Sequence, residues 1–262
     1  MATKKDAVTK KQTTALAVHE YGDDVGSGFE NQTSADIAIP FLNLLQPLSP
    51  QVVDGDAKPG TFVNSVTEEN LGTEVIFVPA TTDRCFVEWT PREQGGGFVG
   101  RHEVGDAVIA GSTPHPIKGG VLVTPAGNDL IETFYVYGVD GDGLPLVVAF
   151  NSTKIKVYRK WQARLRMHLI QTANGKINPP LFANKSVITS EKTTNEKGTF
   201  YNFIISGAVD GDLGKSLLPT TDELYLAAKG MGALVSAGTA TASYETQENA
   251  GGSASSDGEG AF

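Results

Sequence analysis

One cysteine in 262 residues, Cys85, leaves no partner for an internal disulfide and no thiolate set for zinc. That scarcity fits a reducing compartment. No run approaches the ~20 apolar residues that span a bilayer. The opening Met1-Ala2-Thr3-Lys4-Lys5-Asp6 carries cations with no apolar run behind them. The expectation is a cytoplasmic protein, in the host cell if viral, with neither signal peptide nor membrane anchor. The four histidines, His19, His102, His115 and His168, are scattered, none at metal-ligand spacing from another His or from Cys85. No Gly-x-Ser-x-Gly turn presents a nucleophile. These absences predict a protein with no catalytic residues, no metal and no cofactor, one that binds rather than turns over.

What is present points to strands. Gly at 30 and Pro at 13 punctuate a chain that is 40% hydrophobic and 19% charged, a composition suited to short strands joined by tight turns around a sizeable core. Runs rich in Val, Ile, Phe and Tyr predict strands at 61–66, 74–79, 85–90, 107–110, 121–124, 131–139 and 144–150, then at 181–189 and 199–206. Residues 39–45 form a further short apolar run, closed by Pro47 and Pro50. A helix is expected over about 159–171, with Trp161, Leu165, His168 and Leu169 inward. A second follows Pro219-Thr220-Thr221-Asp222-Glu223, with Leu224, Ala227, Ala228, Met231 and Leu234 on one face and Gly238 at its end. The predicted architecture is mainly β: an OB-like β-barrel over 36–238 with two short helices. It lies between a flexible arm (1–35) and an acidic disordered tail (239–262).

Two motifs imitate ligand sites. Gly95-Gly96-Gly97-Phe98-Val99-Gly100 fits the dinucleotide spacing. Arg101-His102-Glu103-Val104-Gly105 is no helix start, however, so no ring of helix N-terminal amides would meet a phosphate. The stretch reads as a loop with Arg92, Phe98 and Arg101 at its rim. Asp140-Gly141-Asp142-Gly143 has carboxylates two apart, as calcium loops begin, but the twelfth position is Asn151. Its Asp-Gly dipeptides indicate a hairpin turn. Val-Asp-Gly-Asp recurs at 209–212 with unmatched flanks, a repeated turn rather than a repeated domain.

Charge is unevenly placed. The chain carries a net −9, with a pI near 4.9, which argues against a binder that coats DNA by total charge. A groove's local field can still attract a polyanion. Between Lys154 and His168 stand Lys154, Lys156, Arg159, Lys160, Arg164 and Arg166, and no Asp or Glu occurs from Asn151 to Ser190. Such a face is often plain solvated surface. Left unneutralised by its own stretch, it suits a polyanion, the cations displacing counterions while Tyr158 and Tyr201 stack on bases. Trp161 reads as core. From Thr239 onward come Glu245, Glu248, Asp257 and Glu259 with no Lys or Arg, ending on Phe262. An aromatic side chain on an acidic tether suits capture by a basic, apolar pocket of a partner.

Together these features resemble phage-encoded and bacterial single-stranded-DNA-binding proteins, which place an OB-type barrel before an acidic tail ending in Phe. Asp257, Glu259 and Phe262 correspond to that terminus, although Gly and Ala interrupt the acids here. The resemblance implies recruitment of replication or recombination proteins through the tail. Ile39-Pro40-Phe41-Leu42, Glu88-Trp89-Thr90-Pro91-Arg92, Gly95 to Phe98 and Lys156 to Trp161 are also similar to tailed-phage proteins without assigned function, which favours a viral origin. The expected activity is sequence-nonspecific single-stranded DNA binding in phage replication or recombination. Lys154, Lys156, Arg159, Lys160, Arg164 and Arg166 would follow the phosphates, and Arg92, Phe98 and Arg101 would close the groove. Homo-oligomerisation stays open. The competing expectations are a virion structural or assembly protein and an inhibitor acting by DNA mimicry.

Overall fold

The computed structural model describes residues 27–28, 39–195, 198–240, 242 and 244. The chain divides into two units, Met1–Gln32 and Thr33–Phe262, and every helix and strand among the described residues belongs to the second. The arm predicted over 1–35 lies outside the described residues apart from Ser27 and Gly28, and so does most of the predicted tail.

In chain order the elements are β1 (Leu42–Leu44), α1 (Pro50–Val53), β2 (Phe62–Asn64), β3 (Asn70–Gly72), β4 (Glu74–Trp89), β5 (Phe98–Glu103), α2 (Ala107–Gly111), β6 (Thr113–Pro114), β7 (Val121–Val123), β8 (Asp129–Asp140) and β9 (Pro145–Asn151). There follow α3 (Lys154–Met167), β10 (Ile170–Thr172), β11 (Gly175–Ile177), β12 (Ser186–Asn195), β13 (Gly198–Gly207) and α4 (Glu223–Ser236). The fold is mainly β, its large sheet curled into a half-barrel. No helix among the described residues is long and apolar enough to cross a membrane.

The spine is the antiparallel pair β4–β8, in register from Phe77 opposite Asp140 to Trp89 opposite Asp129. On one side β12 pairs with Glu74–Phe77 of β4 and β5 pairs with its Cys85–Trp89 end. On the other, β7 takes one end of β8 and β9 takes the rest. β13 and β6 finish the sheet's long path. β1, β2 and β3 make a small sheet of their own, and β10–β11 is an isolated hairpin.

Alternation along β8 divides its side chains between two faces. One face packs against α3, gathering Val136, Phe150, Phe203 and Ile205 around Tyr158, Trp161 and Leu165. The other packs against α4, gathering Tyr135, Tyr137, Cys85, Val87 and Phe41 around Ala228 and Met231. Cys85 is fully buried there, and burial pushes its thiol up to about 12. Gln46 ties the small sheet to β13. Its side-chain amide donates to the Tyr201 carbonyl at 3.1 Å and its Oε1 accepts from the Tyr201 N–H at 2.8 Å, imitating a strand residue at the exposed edge.

The structure corrects several sequence expectations. The two strands predicted at 74–79 and 85–90 are the single strand β4, continuous because the ladder resumes across a bulge at Ala80, directly after Pro79, which has no N–H to donate. The strand predicted at 107–110 is α2, which satisfies its groups locally through Ile109 N–H to the Asp106 carbonyl and Ser112 Oγ to the Val108 carbonyl. The helix predicted from 159 starts at Lys154, directly after a turn in which Ser152 takes φ 46°. Among the described residues four α-helices form rather than two, and those of four and five residues carry no apolar period that could announce them. The loop expected at 191–198 instead continues as strand to Asn195. The Asp140–Gly143 turn stands as read: the Asp140 carboxylate accepts from the N–H groups of Asp142 and Leu144, closing the β8–β9 hairpin. Asp222 caps α4 by accepting from Leu224 N–H at 2.9 Å, and Gly238 (φ 70°) follows its last turn.

Gly138 lies where β8 crosses the bulge of β4. A Cβ there would collide with the Val78 carbonyl oxygen and the Phe77 ring, and backbone cannot swing aside as a flexible side chain can. Gly138→Ala is expected to cost about 2–3 kcal/mol of unfolding free energy, read from the midpoint of chemical denaturation.

Candidate nucleic-acid interface

α3 is amphipathic in a way its composition does not suggest. At 3.6 residues per turn, Tyr158, Trp161 and Leu165 share the face that enters the core. Lys156, Arg159, Lys160, Ala163, Arg164, Arg166 and Met167 fall on the opposite arc and are all exposed. Five of the six predicted phosphate contacts therefore line one side of one helix. The basic residues of its last turn, Arg164 and Arg166, also suit the negative end of the helix dipole.

Lys154, the sixth, is held differently. Its ammonium sits 4.6 Å from the centre of the Phe203 ring, and burial lowers its pKa from 10.5 to about 8. It belongs to the inner face of α3, so the electrostatic track predicted through Lys154 begins instead at Lys156.

A carboxylate from a distant strand reaches the ridge. Glu132 on β8 binds Arg84 of β4 at 2.6 Å and stands 3.6 Å from Arg159. Both guanidinium groups lie over the Phe134 ring, at 5.7 and 5.9 Å from its centre. One carboxylate thus serves two arginines, leaving that cluster cationic. Exposed pairs of this kind contribute only about 0–1 kcal/mol each, so they order the side chains without removing their charge from solution.

The aromatic rings expected to stack on bases are otherwise engaged. Tyr158 is buried, its ring stacked on Phe134 at 4.5 Å and tilted against Phe150 at 5.4 Å. Burial also raises its phenol above the ordinary range. The base-stacking role predicted for Tyr158 fails because its residue number places it on the core side of α3. Tyr201 lies on the α3 side of the sheet, half-buried beside Phe203, and its ring covers Gly60.

Phe98 and Arg101 do not join this face. Both are residues of β5 rather than of a loop rim, and Arg101 pairs across to Val87, a residue of the α4 face. Arg101 is neutralised by Asp83 and Glu103, each at 2.5 Å. Phe98 stacks on Tyr244 at 5.9 Å and meets Trp89 edge-on at 5.7 Å. The groove they were predicted to close is therefore not assembled. Arg92 opens the short 3-10 turn Arg92–Gln94, and Gly95, Gly96 and Gly97 follow with positive φ before β5 begins. Asp257, Glu259 and Phe262 lie outside the described residues.

A further polar constellation lies around Glu88. The carboxylate of Glu88 accepts from Asn128 Nδ2 at 2.7 Å and Thr124 Oγ1 at 3.3 Å, and contacts His102 Nε2 at 2.7 Å. Burial opposes its charge, but those bonds outweigh burial and hold the carboxyl below its usual range. The group braces β4 against β5 and the β7–β8 turn. Among the described residues no set of three or more His, Cys, Asp or Glu is placed to hold a metal ion.

Comparison with known proteins gives one assignment. The profile of the Pam3 phage gp34-like protein family matches residues 9–241. The chain belongs to this family. It is accordingly a phage protein, and the match spans every described element from β1 to α4. No curated protein and no solved structure matches it. Membership carries no chemistry with it.

The burial of Lys154 has a measurable sign. An amine whose pKa falls on folding costs stability while both states are protonated. That cost is full below about pH 8 and is relieved as pH rises from about 8 to 10.5. Lys154→Met is expected to raise stability at pH 7 by up to about 3 kcal/mol and to flatten the alkaline rise, both checked by thermal melts across pH 7–11.

Proposed function

We propose that this phage protein binds single-stranded DNA without sequence preference, in replication or recombination, and that residues 239–262 recruit partner proteins. The observation that carries the reading is the outer arc of α3, where Lys156, Arg159, Lys160, Arg164 and Arg166 stand exposed in a chain of net charge −9. A cationic ridge on an acidic molecule concentrates its field where a polyanion docks and repels it elsewhere, which orients the encounter. Arg84 extends the ridge onto the sheet. The curled antiparallel sheet is read as an OB-like barrel, a fold whose open face accepts a single strand. Protection and organisation of the strand need no turnover.

Phosphate contact fixes the signature of such binding. Affinity falls linearly with the logarithm of salt concentration, with a slope of about −0.7 per phosphate neutralised on a single strand. Replacing Arg159, Lys160 and Arg166 by Ala should weaken binding to oligo-dT and to mixed sequences alike. The slope should shrink by about 2 and the thermal melt should barely move. Fluorescence titration at two or more salt concentrations checks this; equal loss of melting temperature and affinity would make the ridge structural. Deleting residues 245–262 should leave the folded body intact and strengthen DNA binding at low salt, because four acids that compete for the ridge are removed with it; an unchanged isotherm overturns that competition.

A second reading, a virion structural or assembly protein, draws on a separate observation. The outward face of α4 is largely apolar, with Leu226 and Leu234 both exposed and Lys229 as its cation, a composition suited to assembly contacts. Co-sedimentation with phage particles and a flat salt titration would favour it over DNA binding.

A further inference from the structure

Of the rings expected to hold bases, Tyr158 is in the core and Tyr201 is half-buried against it, yet an apolar surface stands at the end of the basic ridge. Met167, the last residue of α3, is 80% exposed, and Leu169, two residues on, and Ile177, opposite Ile170 in the hairpin, are 55% and 44% exposed. The three flank the join between α3 and the β10–β11 hairpin. Strands β10 and β11 pair only with each other, Ile170 opposite Ile177 and Gln171 opposite Lys176. The hairpin is not loose at its root. Asn178 Nδ2 donates to the carbonyls of Leu165 and His168 at 2.7 and 2.8 Å, fastening its return strand to the open end of α3. At its tip the Thr172 hydroxyl donates to the Gly175 carbonyl at 2.7 Å.

Exposed Met, Leu and Ile at one junction are costly to leave in water unless something covers them. Their surroundings indicate what does. Met167 continues the arc that carries Lys156, Lys160 and Arg166, while Lys176 stands exposed across the hairpin. Among residues 151–190 there is no acid to repel a polyanion. An apolar ledge bounded by cations is complementary to a strand whose phosphates are charged and whose bases present flat, weakly hydrated faces. Met is suited to this contact, being unbranched, polarisable and able to follow an aromatic edge. Aliphatic side chains already serve other proteins as wedges against base steps.

We infer that the α3–hairpin junction is a base-contact ledge, on which Met167, Leu169 and Ile177 take the faces of unstacked nucleobases of a single strand whose phosphates run along the α3 ridge. This rests on the DNA-binding reading above and adds the half of the interface that cations cannot supply. It makes the strand's bases, and not its phosphates alone, part of recognition. Phosphate contacts release counterions and weaken steeply with salt, whereas apolar contact with a base releases none.

The test compares oligo-dT with an abasic oligonucleotide of equal length, using the full chain and a Met167→Ser/Leu169→Ser/Ile177→Ser variant. The native protein is expected to bind oligo-dT about tenfold more tightly than the abasic strand. In the variant the two affinities converge while the salt slope for oligo-dT is retained. The three side chains are exposed, so circular dichroism and the thermal melt should not move; Leu169→Ser alone serves if the triple variant melts early. Retained preference for oligo-dT in a folded variant overturns the ledge while leaving the ridge in place. Failure of the native chain to bind either strand overturns the DNA reading and the ledge together. A change of sedimentation coefficient in the variant, with DNA affinities unaltered, assigns the surface to self-association and overturns the ledge.

Discussion

The antiparallel pairing of β4 with β8 governs which parts of this molecule can meet. Its register runs through twelve residue pairs, from Phe77 opposite Asp140 to Trp89 opposite Asp129, and pleating gives each side chain a face. Phe134 and Glu132 go toward α3, Tyr135 and Cys85 toward α4. Arg101 follows Val87 to the α4 side through its own pairing. A cation on β5 and a cation on α3 can therefore be close in composition and remain separated by a sheet.

The two long helices show how differently the two faces are finished. Each has fourteen residues and each buries one stripe. The outer arc of α3 is almost wholly cationic, whereas that of α4 carries Leu226, Ala233 and Leu234 with Lys229 as its only exposed cation. The sheet between them is thus insulated from a charged surface on one side and an apolar one on the other. Arg84, Arg159 and Glu132 form an ion-pair group that ties that charged surface to the strands. Because Glu132 faces two guanidinium groups, the ridge is held in place without being discharged.

Much of this was legible in the sequence where the signal was periodic or local. The capped helix after Asp222, the Asp-Gly turn and the edges of β8 follow from side-chain pattern and turn chemistry alone. The basic stretch was legible as composition, but its phase was set by Tyr158, which shares the inner stripe with Trp161 and Leu165. Reading Tyr158 as a base stacker required the helix to begin after it, and the observed start at Lys154 turns the ring inward. Other features had no local signal. Glu132 is 48 positions from Arg84, the contact that partly neutralises the ridge. The long strand β4 was hidden by the polar run Thr81–Arg84, whose alternate residues serve a curled edge rather than a turn. The β10–β11 hairpin is three residues a side, too short for periodicity to register.

Cys85 offers an unplanned use of the core. Its sulfur is wholly enclosed on the α4 face of the spine, and enclosure keeps it in the unreactive thiol form. An alkylating reagent can reach it only when the side chains that cover the α4 face of the spine move away. With no second cysteine in the chain, the rate of that single modification is a clock for opening of that face. Ligands that clamp the outer helices without touching Cys85 would register on it as a slower tick.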